Sequence, residues 1–492
     1  MTAVSTLADD VRAALSRAGE VFAGSPAAER ISMIEQRLDE PLRVAIAGRV
    51  KAGKSTLLNA LVGEELATTD AGECTRIVTW YQRGDHYRVT LHLRSGESRH
   101  ATFERNGGAI DVDLGGLQAD DLERIEVEWP SQALEDVTLI DTPGIASTSF
   151  DVSDRTREFL APSDEAPAEA DAVLYLIRHL HSEDVNFLEA FHDDEVSHAS
   201  PVNAIAVLSR ADEIGVGRLT ALATAQRIAD RYRGDPKVRR LCQTVVPVAG
   251  LLAETGATLT QGEYNALATI AGMPRSEFES MMWSTDRFLS TEAPSSLTPI
   301  ERHHLLTRLG MFGIRVSVTM IRQKITVTAR ELAEQLVVQS GLDALRTLLL
   351  TVFAERRDVL KARSALNTLE VVIDEDPERA GAELVGELER IRASAHELVE
   401  LRVLNALRSR TIELDGQDME EAERLIGGQG TAPRIRLALD AEATDDDIRS
   451  AALFAAERWR RIAESPFSSR EVAETAQTVV RSCEGLVAAT MA

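Results

Sequence analysis

The sequence has few of the features that mark a secreted or membrane-spanning protein. Aromatic residues make up 4% of its 492 residues, and its three cysteines lie too far apart to form a metal-spaced pair. This sparse cysteine content favours a reducing compartment and gives no disulfide framework. The first 25 residues do not resemble a signal peptide, and no run approaches the ~20 apolar residues of a membrane span. We therefore expect a cytoplasmic protein.

Positive charge is also scarce. The net charge is −25 and the isoelectric point is about 4.9, so the surface as a whole repels nucleic acids and anionic lipid headgroups. We therefore expect no nucleic-acid partner. The five lysines are Lys51, Lys54, Lys237, Lys324 and Lys361. Because two of the five lie in one short segment, we expect those two to have a function rather than to serve as general solubilising charges.

That segment is a complete phosphate-binding loop. It follows the apolar run Leu42–Ala47, which is typical of a short buried strand, and precedes a sequence that favours a helix start. Glycines at both ends allow backbone N–H groups to surround a polyphosphate, while Lys54 can reach the β and γ phosphates and the Ser55 hydroxyl can bind Mg²⁺. The predicted nucleotide-binding residues of the loop are Gly48, Arg49, Val50, Lys51, Ala52, Gly53, Lys54, Ser55 and Thr56.

Two further segments complete the predicted phosphate and metal site. Asp141-Thr142-Pro143-Gly144 follows an apolar strand, so the Asp141 carboxylate can hold Mg²⁺ through water and the Gly144 N–H can sense a γ-phosphate. Thr75 is the candidate whose hydroxyl completes the coordination of Mg²⁺ when a triphosphate is bound. Thr79 is its competitor, and Thr68 and Thr69 are weaker alternatives.

The segment Ser209-Arg210-Ala211-Asp212 is the candidate for reading the base. It follows the apolar strand 204–208 and stands where GTPases carry an Asn-Lys-x-Asp signature. The Asp212 carboxylate can accept two hydrogen bonds from guanine, and the Arg210 stem can lie along the base. Ser209 is shorter than the usual Asn, and a helix-capping Ser-x-x-Asp is the alternative interpretation. Residues 245–250 lie where a loop would contact the edge of the base. Their sequence does not identify which of them makes that contact.

The order of predicted elements gives the fold class. Residues 43–250 alternate short strands with helices, which indicates an α/β head with a mainly parallel sheet and helices on both faces. The predicted strands are 87–94, 123–129, 136–141, 172–177, 203–208 and 244–248. From about residue 251 the strand patterns disappear, and near-heptad apolar spacing favours an elongated all-α bundle. The predicted domains are N-terminal helices at 1–40 that join the bundle, a GTPase domain at 41–330 and a helical neck and trunk at 331–492.

Two details of the bundle can be predicted further. The apolar pattern favours one long helix over residues 377–408, about 45 Å at ~1.5 Å per residue. The region 409–436 contains the glycine-rich sequence Gly427-Gly428-Gln429-Gly430 and is the predicted distal tip, a flexible hairpin. It has scattered arginines but neither an aromatic cluster nor a lysine, so we do not expect the chain to bind membranes directly.

Taken together, the phosphate loop, Asp141–Gly144, Ser209–Asp212 and the helices on both sides of the head resemble those of the bacterial dynamin-like GTPases. This resemblance implies a GTPase head on a helical neck and trunk, Mg²⁺ as cofactor, GTP as substrate and a sister dynamin-like protein as partner. It also implies a role in cell-envelope stress. Dynamins proper carry Gln and Ser where this chain has Val50 and Lys51. Other relatives place an arginine at the second position, so Lys51 is a candidate internal finger, with a solvated loop lysine as the alternative.

Three functions follow as competing hypotheses. The first is a mechanochemical GTPase whose heads dimerise on GTP and move the trunk, with Lys51, Lys54 and Thr75 as catalytic residues. The second is a nucleotide-gated partner protein with weak GTPase activity, which assembles with the sister protein and reaches the inner face of the plasma membrane through it. The third, a ribosome-linked GTPase, is disfavoured by the acidic charge.

Overall fold

A computed structural model describes residues 7–67, 77–106, 109–143, 170–178, 203–214, 218–353, 356–408, 412 and 414–490. In this part of the chain a head, built around one sheet, is joined to a bundle of helices. The strands are β1 Leu42–Gly48, β2 Val78–Arg83, β3 Arg88–Leu93, β4 Ser98–Ala101, β5 Phe103–Asn106, β6 Ala109–Val112, β7 Leu122–Trp129, β8 Val137–Asp141, β9 Ala172–Ile177, β10 Ala204–Ser209 and β11 Thr244–Val248. The α-helices are α1 Leu7–Val21, α2 Pro26–Arg37, α3 Lys54–Val62, α4 Ala221–Gly234, α5 Pro236–Leu241, α6 Gly250–Thr258, α7 Gln261–Ala271, α8 Arg275–Met281, α9 Thr285–Leu289, α10 Pro299–Arg322, α11 Ala329–Ser340, α12 Leu342–Leu348, α13 Arg357–Glu375, α14 Pro377–Ser394, α15 His396–Arg408, α16 Gly416–Leu425, α17 Pro433–Arg436, α18 Asp445–Ala463 and α19 Arg470–Ala489.

The sheet has nine strands in the order β11-β10-β9-β1-β8-β2-β7-β3-β4, and β5 and β6 form a separate hairpin. The five strands from β11 to β8 run parallel, whereas β2 is antiparallel to β8. The predicted α/β class with a mainly parallel sheet is therefore confirmed. The sequence analysis missed β2, whose first four residues are all buried and so show no alternation of polar and apolar positions.

Helices cover both faces of the sheet, as predicted. Successive side chains of β1 point to opposite faces, so Ala45 and Ala47 join one apolar core while Val44 and Ile46 join the other. The first core contains the buried residues of α10, and the second contains those of α3. Because the parallel strands end at the same edge, the residues that follow β1, β8 and β10 come together there.

Apolar packing against the sheet continues past residue 330, the predicted boundary of the head. Leu332 and Leu336 of α11 are buried in one core, and Leu342 and Leu345 of α12 are buried in the other. A π-helical turn then leads to Phe353, which is also buried against the sheet. We therefore propose that the head ends near Phe353.

The N-terminal helices lie in the bundle. Leu15 of α1 and Ile31 of α2 share a core with Leu366 of α13 and Leu388 of α14. An ion pair ties this part of the bundle to the head, because Arg37 donates at 3.2 Å to Asp171, which lies just before β9. Within the bundle, the Lys361 ammonium donates to the Arg37 carbonyl.

The prediction of one long helix over 377–408 is wrong. The chain forms α14 and α15 instead, separated at Ala395, whose ψ of 109° is extended rather than helical. Gly381, with φ of 70° and ψ of 162°, adds a kink near the start of α14. The apolar spacing continues through Gly381 and Ala395, because the helices on either side each contribute to a buried core. The predicted break at 374–377 is confirmed, since α13 ends at Glu375 and α14 begins at Pro377.

The glycine-rich turn predicted as a distal tip lies against the head instead. The carbonyl of Gly428 accepts hydrogen bonds from Gln243 of the head and from Arg408, each at 3.0 Å. Arg356 donates to the carbonyls of Ile426 and Gly427. We call this set of contacts the joint. Guanidinium and amide donors can meet several backbone carbonyls of a tight turn at once, which holds the turn at the base of the bundle. No helix of the described residues is long and apolar enough to cross a membrane.

A candidate nucleotide site at the carboxyl edge of the sheet

The phosphate loop leads from β1 into α3, as the sequence predicts. Gly48 has φ of +148°, and a Cβ atom there would lie 2.8 Å from the Leu176 carbonyl oxygen of β9, so only glycine fits. Gly53 caps α3 in the left-handed conformation, with φ of +96°. Lys51 also has a positive φ, of 62°, which is unusual for a residue with a side chain. Backbone N–H groups of the loop and of the first turn of α3 can therefore bind an anion.

Lys54 folds back over this loop. Its Nζ donates to the Gly48 carbonyl at 3.3 Å. Burial lowers the pKa of the Lys54 ammonium, and the nearby Asp141 carboxylate opposes that shift. A cation held inside the loop by a backbone carbonyl is placed to neutralise phosphate charge.

Ser55 and Asp141 form a hydrogen bond near Lys54. The Ser55 hydroxyl donates to Asp141 Oδ2 at 3.0 Å, while the buried Asp141 Oδ1 has no hydrogen-bond partner among the described residues. Burial raises the pKa of the Asp141 carboxyl group, and Lys54 and Ser55 lower it. A hydroxyl beside a carboxylate with an unused oxygen is an oxygen donor set that suits Mg²⁺. The residues present therefore fit the metal that the sequence analysis predicts.

Two of the predicted site residues, Thr75 and Gly144, lie outside the described residues. The competing threonine, Thr79, lies in β2 directly opposite Asp141 in the antiparallel register. Its hydroxyl donates to the Ile77 carbonyl at 3.4 Å. Thr142, which the sequence analysis did not single out, donates its hydroxyl to the Ile46 carbonyl at 2.9 Å and so ties the end of β8 to β1.

The base-reading segment follows β10. Ser209 donates its hydroxyl to the Ile177 carbonyl at 3.2 Å, so in this structure it links two strands. Arg210, in the left-handed conformation, donates to the Lys51 carbonyl at 2.9 Å and thereby contacts the phosphate loop. Asp212 is 5% exposed, and burial raises its pKa to about 6. A buried carboxylate of this kind favours a ligand that donates hydrogen bonds to it.

An open pocket joins the phosphate loop to Asp212. Its walls come from the start of α3, from the ends of β9 and β10 and from the start of α6. The lining residues are Ala52, Gly53, Thr56, Leu57, Leu176, Val207, Ser209, Arg210, Asp212, Glu213, Val248, Gly250 and Leu251. One pocket is thus lined both by part of the predicted phosphate loop, Ala52, Gly53 and Thr56, and by the predicted base-reading segment, which includes Asp212.

Several pocket residues were not identified from sequence. Val248, Gly250 and Leu251 lie in or beside the segment predicted at the base edge, but that segment contained no chemical signature to select them. Glu213 accepts from Arg210 and from Arg178, the residue after β9, each at 2.6 Å. Arg178 and Glu213 are distant in sequence, so no local pattern could have paired them.

The fold and the site together define a P-loop nucleotide-binding protein. Residues 44–192 match the sequence profile of the Dynamin family. The chain is 40% identical over 487 residues to isoniazid-induced protein IniC of Mycobacterium tuberculosis H37Rv, an alignment that covers 98% of each chain. The chain therefore belongs to the bacterial dynamin-like GTPases, in the group that contains this relative.

Two other matches are more distant. Isoniazid-induced protein IniA of the same organism is 26% identical over 249 residues, which are 48% of this chain and 35% of IniA. A solved structure described as an oligomerised bacterial dynamin pair, with a mechanism for long-range sensing and tethering of membranes, covers 98% of this chain and 79% of its own. Its sequence identity is 14% and its TM-score is 0.32.

Proposed function

We propose that this protein binds GTP with Mg²⁺ in the pocket between the phosphate loop and Asp212, and hydrolyses it. The observation that carries the proposal is that one pocket is lined by Ala52, Gly53 and Thr56 of the phosphate loop and also by the buried Asp212 carboxylate. Ser55 of the same loop is hydrogen-bonded to Asp141. The family is one of GTPases. An adenine base would leave the Asp212 carboxylate without its two donors, which disfavours ATP.

Each residue has a distinct role in this proposal. Lys54 neutralises the β and γ phosphates, while Ser55 and Asp141 hold the metal. Bound Mg²⁺ supplies charge neutralisation at the phosphate oxygens. Lys51 is an internal finger that approaches the same charge, and Thr75 completes the metal ligands when triphosphate is present. Gly144 senses the γ-phosphate through its N–H group.

A second candidate function rests on Val50. This residue is 47% exposed in the middle of the phosphate loop and has no polar atom in its side chain with which to orient an attacking water. Hydrolysis by the isolated chain is then slow, and the protein acts as a nucleotide-gated partner of a sister dynamin-like protein. In either case nucleotide state is coupled to dimerisation of the heads, or to assembly with the sister, and to movement of the bundle.

The place of action follows from charge and from the relatives. The net charge of −25 opposes direct contact with anionic lipid, so a membrane role passes through the partner. The name of the relative IniC suggests that it is induced by isoniazid, and we extend to this chain a role in the response to cell-envelope stress at the inner face of the plasma membrane.

The first test is binding. Isothermal titration calorimetry with Mg²⁺ should show that the wild-type chain binds GTP and GDP and does not bind ATP. Lys54→Ala should abolish binding, because it removes a buried charge-assisted phosphate contact. Lys237→Ala, which removes an exposed lysine of α5, is the matched control and should bind as the wild type does. Unchanged GTP affinity in Lys54→Ala would reject the site.

The second test separates the two functions. Phosphate release should be measured over a hundredfold dilution series of the chain alone and then with the sister protein. A rate per chain that rises with concentration supports head dimerisation. A rate that stays low and flat alone but rises when the sister is added supports the nucleotide-gated partner.

A further inference from the structure

Two of the pocket walls are the first turns of helices α3 and α6. Thr56 lies in the first turn of α3, and Gly250 is the first residue of α6. The two turns are in contact, because a Cβ atom added at Gly250 would lie 3.2 Å from Thr56 Cγ2. The width of the pocket at this point therefore depends on how the two helices are held together.

One buried hydrogen bond joins these helices about one turn below the pocket. Asn59 of α3 donates from Nδ2 to Oε1 of Glu254 of α6 at 2.7 Å. Asn59 is 1% exposed and Glu254 is 6% exposed. Since Asn59 lies one turn after Ser55 and Glu254 one turn after Gly250, the bond lies beneath the pocket wall on both sides.

The remaining hydrogen-bonding capacity of Asn59 is also used. Its Oδ1 accepts from the N–H groups of Leu66 at 2.9 Å and of Ala67 at 2.7 Å, and its Nδ2 also donates to the Ala67 carbonyl at 3.0 Å. Two donors and two acceptor sites are all that an asparagine side chain has. Its orientation is therefore fixed, and an apolar or acidic side chain cannot replace all four bonds.

On the other side of the pair, α6 is held firmly by its neighbours. A Cβ atom at Gly256 would lie 2.8 Å from Val337 Cγ2 of α11, so the two helices approach closely. Thr255 donates its hydroxyl to the Arg308 carbonyl of α10 at 2.6 Å. The Glu254 carboxyl group is thus presented to Asn59 from a fixed helix.

We propose that Asn59 and Glu254 are positioning residues that set the base wall of the pocket, α6, relative to the phosphate loop on α3. This inference rests on the proposed function, because it assumes that one nucleotide spans both walls. Neither residue lines the pocket, so both act through the helices that carry Thr56 and Gly250. The pair should matter for ligands that touch both walls and not for ligands held by the phosphate loop alone.

The experiment compares GTP with inorganic tripolyphosphate by calorimetry, with Mg²⁺ in both cases. Glu254→Leu removes the acceptor and should weaken GTP binding by about tenfold, the effect of one buried hydrogen bond, while tripolyphosphate affinity stays unchanged. Glu254→Gln keeps an acceptor oxygen in the same place and should restore GTP affinity to within about threefold of the wild type. Thr368→Val is the matched control, since it removes a side-chain hydrogen bond of a buried threonine in α13 of the bundle, which forms no part of the pocket walls.

The outcomes separate the alternatives. A merely stabilising pair would lower the melting temperature of Glu254→Leu and of Thr368→Val alike, without a selective loss of GTP binding, and that result would overturn the inference. GTP affinity in Glu254→Leu equal to that of the wild type would also overturn it. If the wild type binds neither GTP nor tripolyphosphate, the proposed function itself fails.

Discussion

The ionisation of Asp212 should control GTP binding, with a pH dependence that follows from its position. Burial raises the pKa of this carboxyl group from 3.8 to about 6. A shift of about two units means that the ionised form is disfavoured in the folded protein by ~3 kcal/mol at neutral pH. This destabilisation is absent below the unfolded pKa of 3.8 and fully present above about 6.

Guanine offers two donors, N1–H and the amino group, so only the ionised carboxylate accepts both hydrogen bonds. GTP affinity should therefore be constant above about pH 7. At about pH 5 roughly a tenth of the carboxyl groups is ionised before the ligand binds, so the affinity should be about tenfold weaker there. GTP binding is therefore weakened as the pH falls through the pKa of Asp212.

Calorimetric titration of GTP at a series of pH values measures this effect, with Asp212→Asn as the control. The variant keeps the titration of the nucleotide phosphates and lacks that of residue 212, so the difference between the two profiles belongs to Asp212. Asp212→Asn should bind GTP more weakly and shift its preference towards xanthine nucleotides, because the amide reverses one donor–acceptor pair.

The same substitution should stabilise the nucleotide-free protein. A neutral amide avoids the burial of a charge, so the free energy of unfolding should rise at neutral pH by up to ~3 kcal/mol. Denaturant titration without nucleotide measures this change in the free energy of unfolding. The reasoning would be refuted if the GTP affinities of wild type and Asp212→Asn fell in parallel as the pH is lowered. It would also be refuted if the variant bound GTP with wild-type affinity.

Four further results are expected. Gly48→Ala should destabilise the head by about 2–3 kcal/mol and abolish GTP binding, because its Cβ atom meets the Leu176 carbonyl; denaturant titration and calorimetry measure the two effects. Lys51→Ala should lower the rate of GTP hydrolysis at least tenfold, with little change in affinity, in single-turnover assays. Gln243→Leu should weaken the joint by ~1 kcal/mol through loss of its bond to Gly428, which limited proteolysis would show as faster cleavage between head and bundle. In flotation with anionic liposomes at low salt, the chain alone should stay unbound.

Each of these has an outcome that contradicts it. A Gly48→Ala chain that binds GTP normally would mean that the loop tolerates the side chain. Unaltered turnover in Lys51→Ala would leave that lysine as a solvated loop residue. For the joint, equal cleavage rates in Gln243→Leu and wild type would show that the hydrogen bond does not restrain the bundle. If the chain floats with liposomes and tubulates them on addition of GTP, it contacts membranes directly.

The sequence patterns predicted those strands, loops and helices that are specified by consecutive residues. The strand before Gly48, the loop itself and the helix start after Ser55 are consecutive, so their order in the chain is also their order in space. The strand that ends at Asp141 and the strand that ends at Ser209 were likewise recognisable as apolar runs. Parallel pairing then brings their carboxyl ends to one edge, which follows from the βα alternation.

Other features depended on residues that are distant in the chain. The bond between Asn59 and Glu254 and the approach of Gly48 to the Leu176 carbonyl are formed only when the elements pack. The glycine-rich turn at 427–430 has the composition of an exposed tip. Only the packed bundle shows that Gln243 and Arg408 bind its Gly428 carbonyl, because a backbone carbonyl carries no sequence signal.

The sequence by itself therefore determined the class of fold and located the phosphate loop, the Ser55–Asp141 pair proposed to hold the metal and the Asp212 carboxylate proposed to read the base. Each is a property of a short segment and its side-chain chemistry. Tertiary structure decided how wide the pocket is, how far packing against the sheet continues past residue 330 and how the bundle meets the head. Those features arise from burial and from hydrogen bonds between segments that are far apart, and their free energy depends on distances that no local pattern encodes.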